Sequence, residues 1–145
     1  MKVVIVGGVA GGATAAARIR RLDEQAEIVV FERSGYISYA NCGLPYYIGD
    51  VITDRSDLTL QTPESFFSRF RVNMKVRHEV TAIHPEKKEV TVKNLETGEE
   101  FEESYDKLVL SPGASPVKPP IPGMEENHVF TLRNIQDTYA IYDFI

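Results

Sequence analysis

The sequence predicts an α/β fold, a parallel sheet with helices that also carries a three-stranded antiparallel meander. Three observations point there. An apolar β-branched run at residues 3–6 opens directly into a glycine-rich turn. A second such run at 28–31 follows one helix later and ends on Glu32. From residue 73 to 111 the pattern changes to alternating strands. The first two features make a β-α-β unit, whose strands read as continuous apolar runs because both faces of a parallel sheet are buried. A chain of 145 residues has room for one ordinary domain with a real core.

Each element has its own local cause. Val3, Val4, Ile5 and Val6 form the first strand, residues 7–12 a tight turn, and residues 13–22 the first helix. Residues 28–31 supply the second strand. Thr62-Pro63-Glu64 starts a second helix, with a capping hydroxyl, a proline whose fixed φ suits the first turn, and an acid favoured by the helix dipole. That helix runs through Phe66, Phe67 and Phe70, whose spacing places them in the core. Strands at 76–83, 89–94 and 99–103 alternate between turn signals at Pro85-Glu86-Lys87 and Glu96-Thr97-Gly98, which gives the meander. Residues 107–110 return to a buried parallel strand closed by Ser111-Pro112-Gly113. A proline-rich stretch holding Pro116, Pro119, Pro120 and Pro122 then runs extended. Asn134 caps a last helix with Asp137 in its first turn.

Composition excludes several classes. The fractions of apolar, charged, glycine and proline residues suit a soluble globular protein. A net charge of −5 argues against nucleic acid as a main partner. No apolar run reaches membrane-spanning length, and the chain enters strand-like sequence at Lys2, which leaves no room for a signal peptide. Cys42 is the only cysteine, so no internal disulfide framework exists. A cytoplasmic location follows as the expectation. His78, His84 and His128 are dispersed without metal-ligand spacing, so no metal site is expected.

The turn Gly7-Gly8-Val9-Ala10-Gly11-Gly12 matches a dinucleotide fingerprint at its first and last glycines, with Val9 in place of the second. It follows a strand, opens a helix, and precedes an acid at the next strand end, which is the context such a motif needs. Unpaired backbone N–H groups and the positive helix end would receive a pyrophosphate. Glu32 would accept hydrogen bonds from both ribose hydroxyls, with Arg33 beside it. A bland alternative is that the glycines serve only close packing of helix on strand. The usual nicotinamide domain continues as alternating strands and helices. This chain inserts a cysteine-bearing loop and a meander, which points to a flavin domain instead.

A lone thiol needs an outside partner. It cycles through a mixed disulfide with a small thiol or through a sulfenic acid, unless it is merely a buried structural cysteine. A working thiol must be substantially thiolate near neutral pH, and a helix beginning near Gly43 would help. Thr14, Arg18 and Arg21 share one face of the first helix, with Ala15, Ile19 and Leu22 on a separate apolar face. Two guanidiniums suit phosphates by charge and geometry, though a solvated basic face has the same appearance.

Three stretches carry a resemblance. They are Val4-Ile5-Val6-Gly7-Gly8-Val9-Ala10-Gly11-Gly12-Ala13-Thr14, Ser38-Tyr39-Ala40-Asn41-Cys42-Gly43-Leu44-Pro45-Tyr46, and Tyr105-Asp106-Lys107-Leu108-Val109-Leu110-Ser111-Pro112-Gly113-Ala114. With them the chain resembles the N-terminal segment of coenzyme A disulfide reductases, within the flavoprotein pyridine nucleotide-disulfide oxidoreductases, whose nearest relatives are NADH oxidases and peroxidases. Asn-Cys-Gly-Leu-Pro is the most specific element.

The resemblance implies a Rossmann-like FAD-binding domain, FAD as cofactor, NAD(P)H as electron donor, and coenzyme A disulfide reduced through Cys42 by way of a mixed disulfide with coenzyme A. Persulfide or polysulfide reduction is a close variant, and a peroxide or oxygen reductase using a sulfenic acid is the other enzymatic reading. It implies cofactor contacts at Gly7, Gly8, Val9, Ala10, Gly11, Gly12, Glu32, Arg33, Asn41, Val80, Ser111 and Gly113. Substrate contacts fall to Thr14, Arg18, Arg21, Ser38, Asn41 and, more weakly, Arg71. Relatives with two redox cysteines place the second five positions on, where this chain has Tyr47. Family members continue into an NADH domain, a second FAD segment and a dimerisation domain that residues 1–145 do not contain. A fragment of a homodimeric enzyme, inactive or a bare nucleotide-binding module when isolated, is the resulting expectation.

Overall fold

A computed structural model describes residues 1–145. In chain order the first half comprises β1 (Lys2–Val6), α1 (Ala10–Leu22), β2 (Glu27–Glu32), β3 (Ile37–Tyr39), α2 (Leu44–Ile48) and β4 (Thr59–Gln61). The rest comprises α3 (Pro63–Phe70), β5 (Asn73–Val76), β6 (His78–His84), β7 (Glu89–Asn94), β8 (Glu100–Ser104), β9 (Lys107–Leu110) and α4 (Ile135–Phe144). Two short 3₁₀ turns, Asn41–Gly43 and Arg55–Leu58, flank α2 in sequence. The chain divides into two compact units, Met1–Tyr39 with Gln61–Pro112, and Ala40–Leu60 with Gly113–Ile145.

The first unit is built on a four-stranded parallel sheet in the order β5-β2-β1-β9, with Val3 opposite Ile28 and Ile5 opposite Val30. Alternate residues serve two cores. Val3, Ile5, Ile28 and Val30 face Ala13, Ala16 and Ala17 of α1, together with Phe66, Val72 and Met74. Val4, Val29 and Phe31 face Val90 and Val92 of the meander β6-β7-β8, flanked by half-buried Val80, Phe101 and Leu108. Both faces of β1 and β2 are covered, which is why these strands contain no polar alternation.

The structure bears out the fold class, with four differences of detail. The first helix begins at Ala10, three residues before the expected start. Its buried face is Gly12, Ala13, Ala16 and Ala17; Leu22 is exposed, and Ala15 and Ile19 are half-buried. Small side chains win because α1 lies so close to the sheet that a Cβ on Gly12 would sit 1.7 Å from the Gly7 carbonyl oxygen. The strand expected at 76–83 is two strands. Residues Asn73–Val76 pair with β2, Arg77 takes a left-handed φ of +55°, and His78 begins the meander. Arg77 is fixed at that junction by donating to the Ser34 carbonyl and accepting from Leu95 N–H.

The fourth difference concerns α3. Thr62 and Ser65 cap it reciprocally, and Pro63 occupies its first turn, as the sequence requires. Phe66 is buried and Phe70 packs on the same core, but Phe67 is 48% exposed. The buried stripe of this eight-residue helix is narrow, with Phe66 buried and Pro63 and Phe70 half-buried, and position 67 falls on the exposed face with Glu64, Ser65, Ser68 and Arg69. The Arg71 guanidinium lies 5.8 Å from the Phe67 ring centroid.

In the second unit Tyr47 is buried against Tyr139 and Tyr142, at centroid distances of 6.0 and 4.7 Å. Arg55 donates through Nε to the Tyr47 hydroxyl at 2.9 Å and through Nη2 to Asp143 at 2.8 Å. Its guanidinium carbon stands 4.4 Å over the Tyr139 ring. The Asp50 carboxylate, which accepts from the Tyr142 hydroxyl, pushes that phenol's pKa up. Asn134 and Asp137 cap α4 reciprocally, as expected. No helix or strand lies between Leu110 and Ile135.

Candidate functional site

The glycine turn is held from several sides. Gly7 has φ +94°, and a Cβ there would lie 2.1 Å from the Ser111 carbonyl oxygen. Its N–H donates to the Phe31 carbonyl at 2.8 Å. Gly8 N–H donates to Glu32 Oε2 and Ser34 N–H to Glu32 Oε1, each at 2.8 Å. Ser38, at φ +45°, donates its N–H to the Gly8 carbonyl at 3.0 Å. Glu32 is one of only two buried polar side chains, 8% exposed; its Oε2 braces the glycine turn and its Oε1 the chain just beyond β2. The sequence points to Glu32 as a ligand group; the structure adds a latch between β2 and the turn. The Gly8 amide, counted among those open to a phosphate, is occupied by that latch.

Open donors remain at the start of α1. Val9 stands at the N-cap without a side-chain acceptor, and the first turn carries no acidic residue. Ala13 N–H takes the Val9 carbonyl at 3.1 Å, so the amides of Ala10, Gly11 and Gly12 precede the intrahelical ladder. Such a helix start favours an anion through oriented N–H groups and the helix dipole. Gly11 is exposed, and a Cβ on it would come within 3.2 Å of Ser111 Oγ, so the rim between turn and strand end stays narrow.

Beside the turn lies a groove of about 120 Å³ whose lining includes Gly7, Glu32, Arg33, His78, Val80 and Pro112. Arg33 is exposed, with Nη1 3.9 Å from Glu79 Oε1. Val80 lies in β6 just before a bulge at Val80/Ala82. Thus Gly7, Glu32, Arg33 and Val80, scattered in sequence, line one concavity. The narrow rim, free helix-end amides and carboxylate suit a dinucleotide.

On the outer side of α1, Thr14, Arg18 and Arg21 are all exposed on one face. Arg71, also exposed, is the left-handed C-cap of α3. Its carbonyl accepts from Arg20 Nη2 at 2.9 Å, and Arg20 Nε donates to the Phe70 carbonyl at 2.8 Å. Arg20 also bonds the Asp23 and Glu24 carbonyls at the end of its own helix. Sequence reasoning passed over Arg20. The signal was a lone charge one turn beyond Ala16, on the face that is otherwise small and buried.

In the second unit Cys42 is an exposed free thiol on the 3₁₀ turn Asn41–Gly43, which excludes a buried structural cysteine. Regular helix begins one residue after Gly43, at Leu44, and runs for only five residues. Gly43 is packed so closely that an added Cβ would meet Ile52, Leu58 and Ala40 at 3.2 to 3.4 Å. Asn41 Oδ1 is buried without a hydrogen-bond partner. Gly113 has φ +75° and would press a Cβ to 3.0 Å from the Arg133 guanidinium.

A turn of this kind after β1, a meander on the sheet and a single exposed thiol define a flavoprotein-like disulfide oxidoreductase scaffold. Residues 1–143 match the pyridine nucleotide-disulphide oxidoreductase family, and the chain belongs to it. It is 53% identical over 144 residues to the coenzyme A disulfide reductase of Staphylococcus aureus (strain JH9), covering 99% of this chain and 32% of that protein. The chain therefore spans about a third of the length of the curated relatives it matches. The reduced CoADR-RHD of Bacillus anthracis superposes with TM-score 0.96 at 55% identity, covering 99% of this chain and 26% of that one. An NAD-dependent persulfide reductase from A. fulgidus gives TM-score 0.93 at 36% identity, covering 99% of this chain and 27% of its own. The family expected from the sequence is thus the family found. No helix is long and apolar enough to cross a membrane.

Proposed function

We propose that this chain is the FAD-binding and thiol-bearing segment of an NAD(P)H-dependent oxidoreductase that reduces coenzyme A disulfide. The observation that carries the reading is Cys42, a lone and exposed thiol within Asn41-Cys42-Gly43-Leu44-Pro45. The fit of FAD rests on the crowding at Gly7 and Gly12, the open amides of Ala10, Gly11 and Gly12, and the groove beside Glu32 and Val80. In this reading those amides hold the pyrophosphate, while Glu32, Arg33 and Val80 hold the adenosine. Ser111 and Gly113 shape the backbone at the end of β9. Asn41 Oδ1 is an acceptor that a ligand donor would satisfy. Bound flavin supplies a two-electron relay between NAD(P)H and the protein thiol.

The chain's own step is thiol–disulfide exchange. The Cys42 thiolate attacks one sulfur of coenzyme A disulfide, forms a Cys42–coenzyme A disulfide and expels one coenzyme A thiolate. Two electrons then cleave that bond, returning the Cys42 thiolate and the second coenzyme A thiolate. The balance is one disulfide, one NAD(P)H and one proton giving two thiols and NAD(P)+. Arg18 and Arg21, with Thr14 between them and the turn in sequence and Arg71 on α3, offer guanidiniums for the substrate phosphates.

Intact mass under non-reducing conditions after exposure to coenzyme A disulfide tests this. One coenzyme A adduct per chain, removed by dithiothreitol and absent in Cys42→Ser, is expected. A thiol that stays unmodified would sink the mixed-disulfide reading, and a stable gain of one oxygen with peroxide would favour a sulfenic acid instead. Persulfide reduction is a second reading, supported by the 36% identity to the A. fulgidus persulfide reductase. Sulfide release from coenzyme A persulfide, faster than thiol release from the disulfide, would select it.

A further inference from the structure

We propose that His78 reads the base of the bound dinucleotide: its Nε2 accepts a hydrogen bond from the 6-amino group of adenine and so selects adenine over a 6-oxopurine. The proposal deepens the FAD reading above and rests on it.

The tautomer follows from geometry. His78 Nδ1 lies 2.7 Å from the Val76 carbonyl oxygen. A carbonyl has only lone pairs to offer, so Nδ1 carries the proton. In the neutral ring Nε2 is therefore a lone-pair acceptor, and no residue of the chain takes it. The ring has little freedom to turn. It packs against Phe31 at 6.3 Å between centroids and edge-on against Phe101 at 6.1 Å.

Location supplies the rest. His78 and Val80 are two residues apart in β6, so they project to the same side of the strand. Both line the groove that also takes in Glu32 and Arg33. The carboxylates on this wall are engaged elsewhere: Glu32 accepts from two backbone amides and keeps its remaining lone pairs for the ribose, and Glu79 lies against Arg33. A base entering past the ribose site meets an apolar floor of Phe31 and Val80 with one uncommitted acceptor. That acceptor complements an exocyclic amine and opposes a carbonyl, since two lone pairs would then face each other. Selection of this kind is strong because the wrong partner leaves a polar group unpaired.

The test measures binding of FAD and of its hypoxanthine analogue to the chain by quenching of flavin fluorescence. The parent chain should prefer FAD by about tenfold, the loss expected for one missing hydrogen bond. His78→Phe keeps a ring against Phe31 and Phe101, and circular dichroism checks that it folds. It should bind both dinucleotides within about twofold of each other, a difference below the worth of one hydrogen bond. Equal binding by the parent chain overturns the proposal while leaving the FAD reading intact. So does a His78→Phe variant that loses both ligands equally. A folded parent chain that binds neither dinucleotide overturns the FAD reading and this inference with it.

Discussion

Replacing Glu32 by alanine should destabilise the chain even when no nucleotide is present. Its carboxylate accepts the Gly8 and Ser34 amides at 2.8 Å each and is 8% exposed. Alanine leaves the buried Gly8 N–H without an acceptor, at about 2 kcal/mol, and the half-buried Ser34 N–H partly repaired by water, at about 1 kcal/mol. The sum of about 3 kcal/mol corresponds to a fall of roughly 10 °C in Tm for a domain of this size. Glu32→Gln keeps one acceptor oxygen and turns its amide towards the other donor, so it should lose about half as much. Urea unfolding of the three proteins without added nucleotide decides the matter. An alanine variant within about 0.5 kcal/mol of the parent would refute the latch and leave Glu32 to the ligand alone.

Three further outcomes follow from the packing and charge. Phe66→Ala should cost about 3–4 kcal/mol and Phe67→Ala under about 1 kcal/mol, because only the first ring fills the core; paired thermal melts distinguish them. Arg20→Met should cost about 2 kcal/mol by freeing the Phe70 and Arg71 carbonyls, and hydrogen exchange should quicken at the end of α3 before it does in β1. The Lys2 ammonium is held above its ordinary pKa by the Glu103 carboxylate, aided by Glu27 and against the cost of burial. A raised folded pKa gives stability that is whole below the unfolded value of about 10.4 and fades as pH climbs through the folded one. Lys2→Met should therefore show its full deficit at neutral pH and approach the parent only as pH climbs through the raised folded value; urea midpoints across the alkaline range would expose a deficit that stays constant, the contrary result.

Much of the scaffold is local, and the amino-acid sequence by itself determined it. The apolar runs of β1 and β2, the turn at 7–12, and the capping pairs Thr62–Ser65 and Asn134–Asp137 involve groups a few residues apart. The motif around Cys42 was legible for the same reason, since residue type and spacing suffice to mark it. Tertiary structure decided what depends on the neighbour across space. An alternating stretch such as 73–84 buries one face equally well in a parallel sheet or a meander. Only pairing of Asn73–Val76 with β2 and the left-handed Arg77 divide it. Likewise α1 has two candidate buried stripes, and the close approach at Gly12 selects the alanines over Leu22. Glu32 meets Gly8, and His78 lines the same groove as Glu32, because strands apart in sequence end side by side. Local sequence fixes which conformations a segment favours; which of them buries the most apolar surface and pairs the most polar groups is settled only when the strands meet.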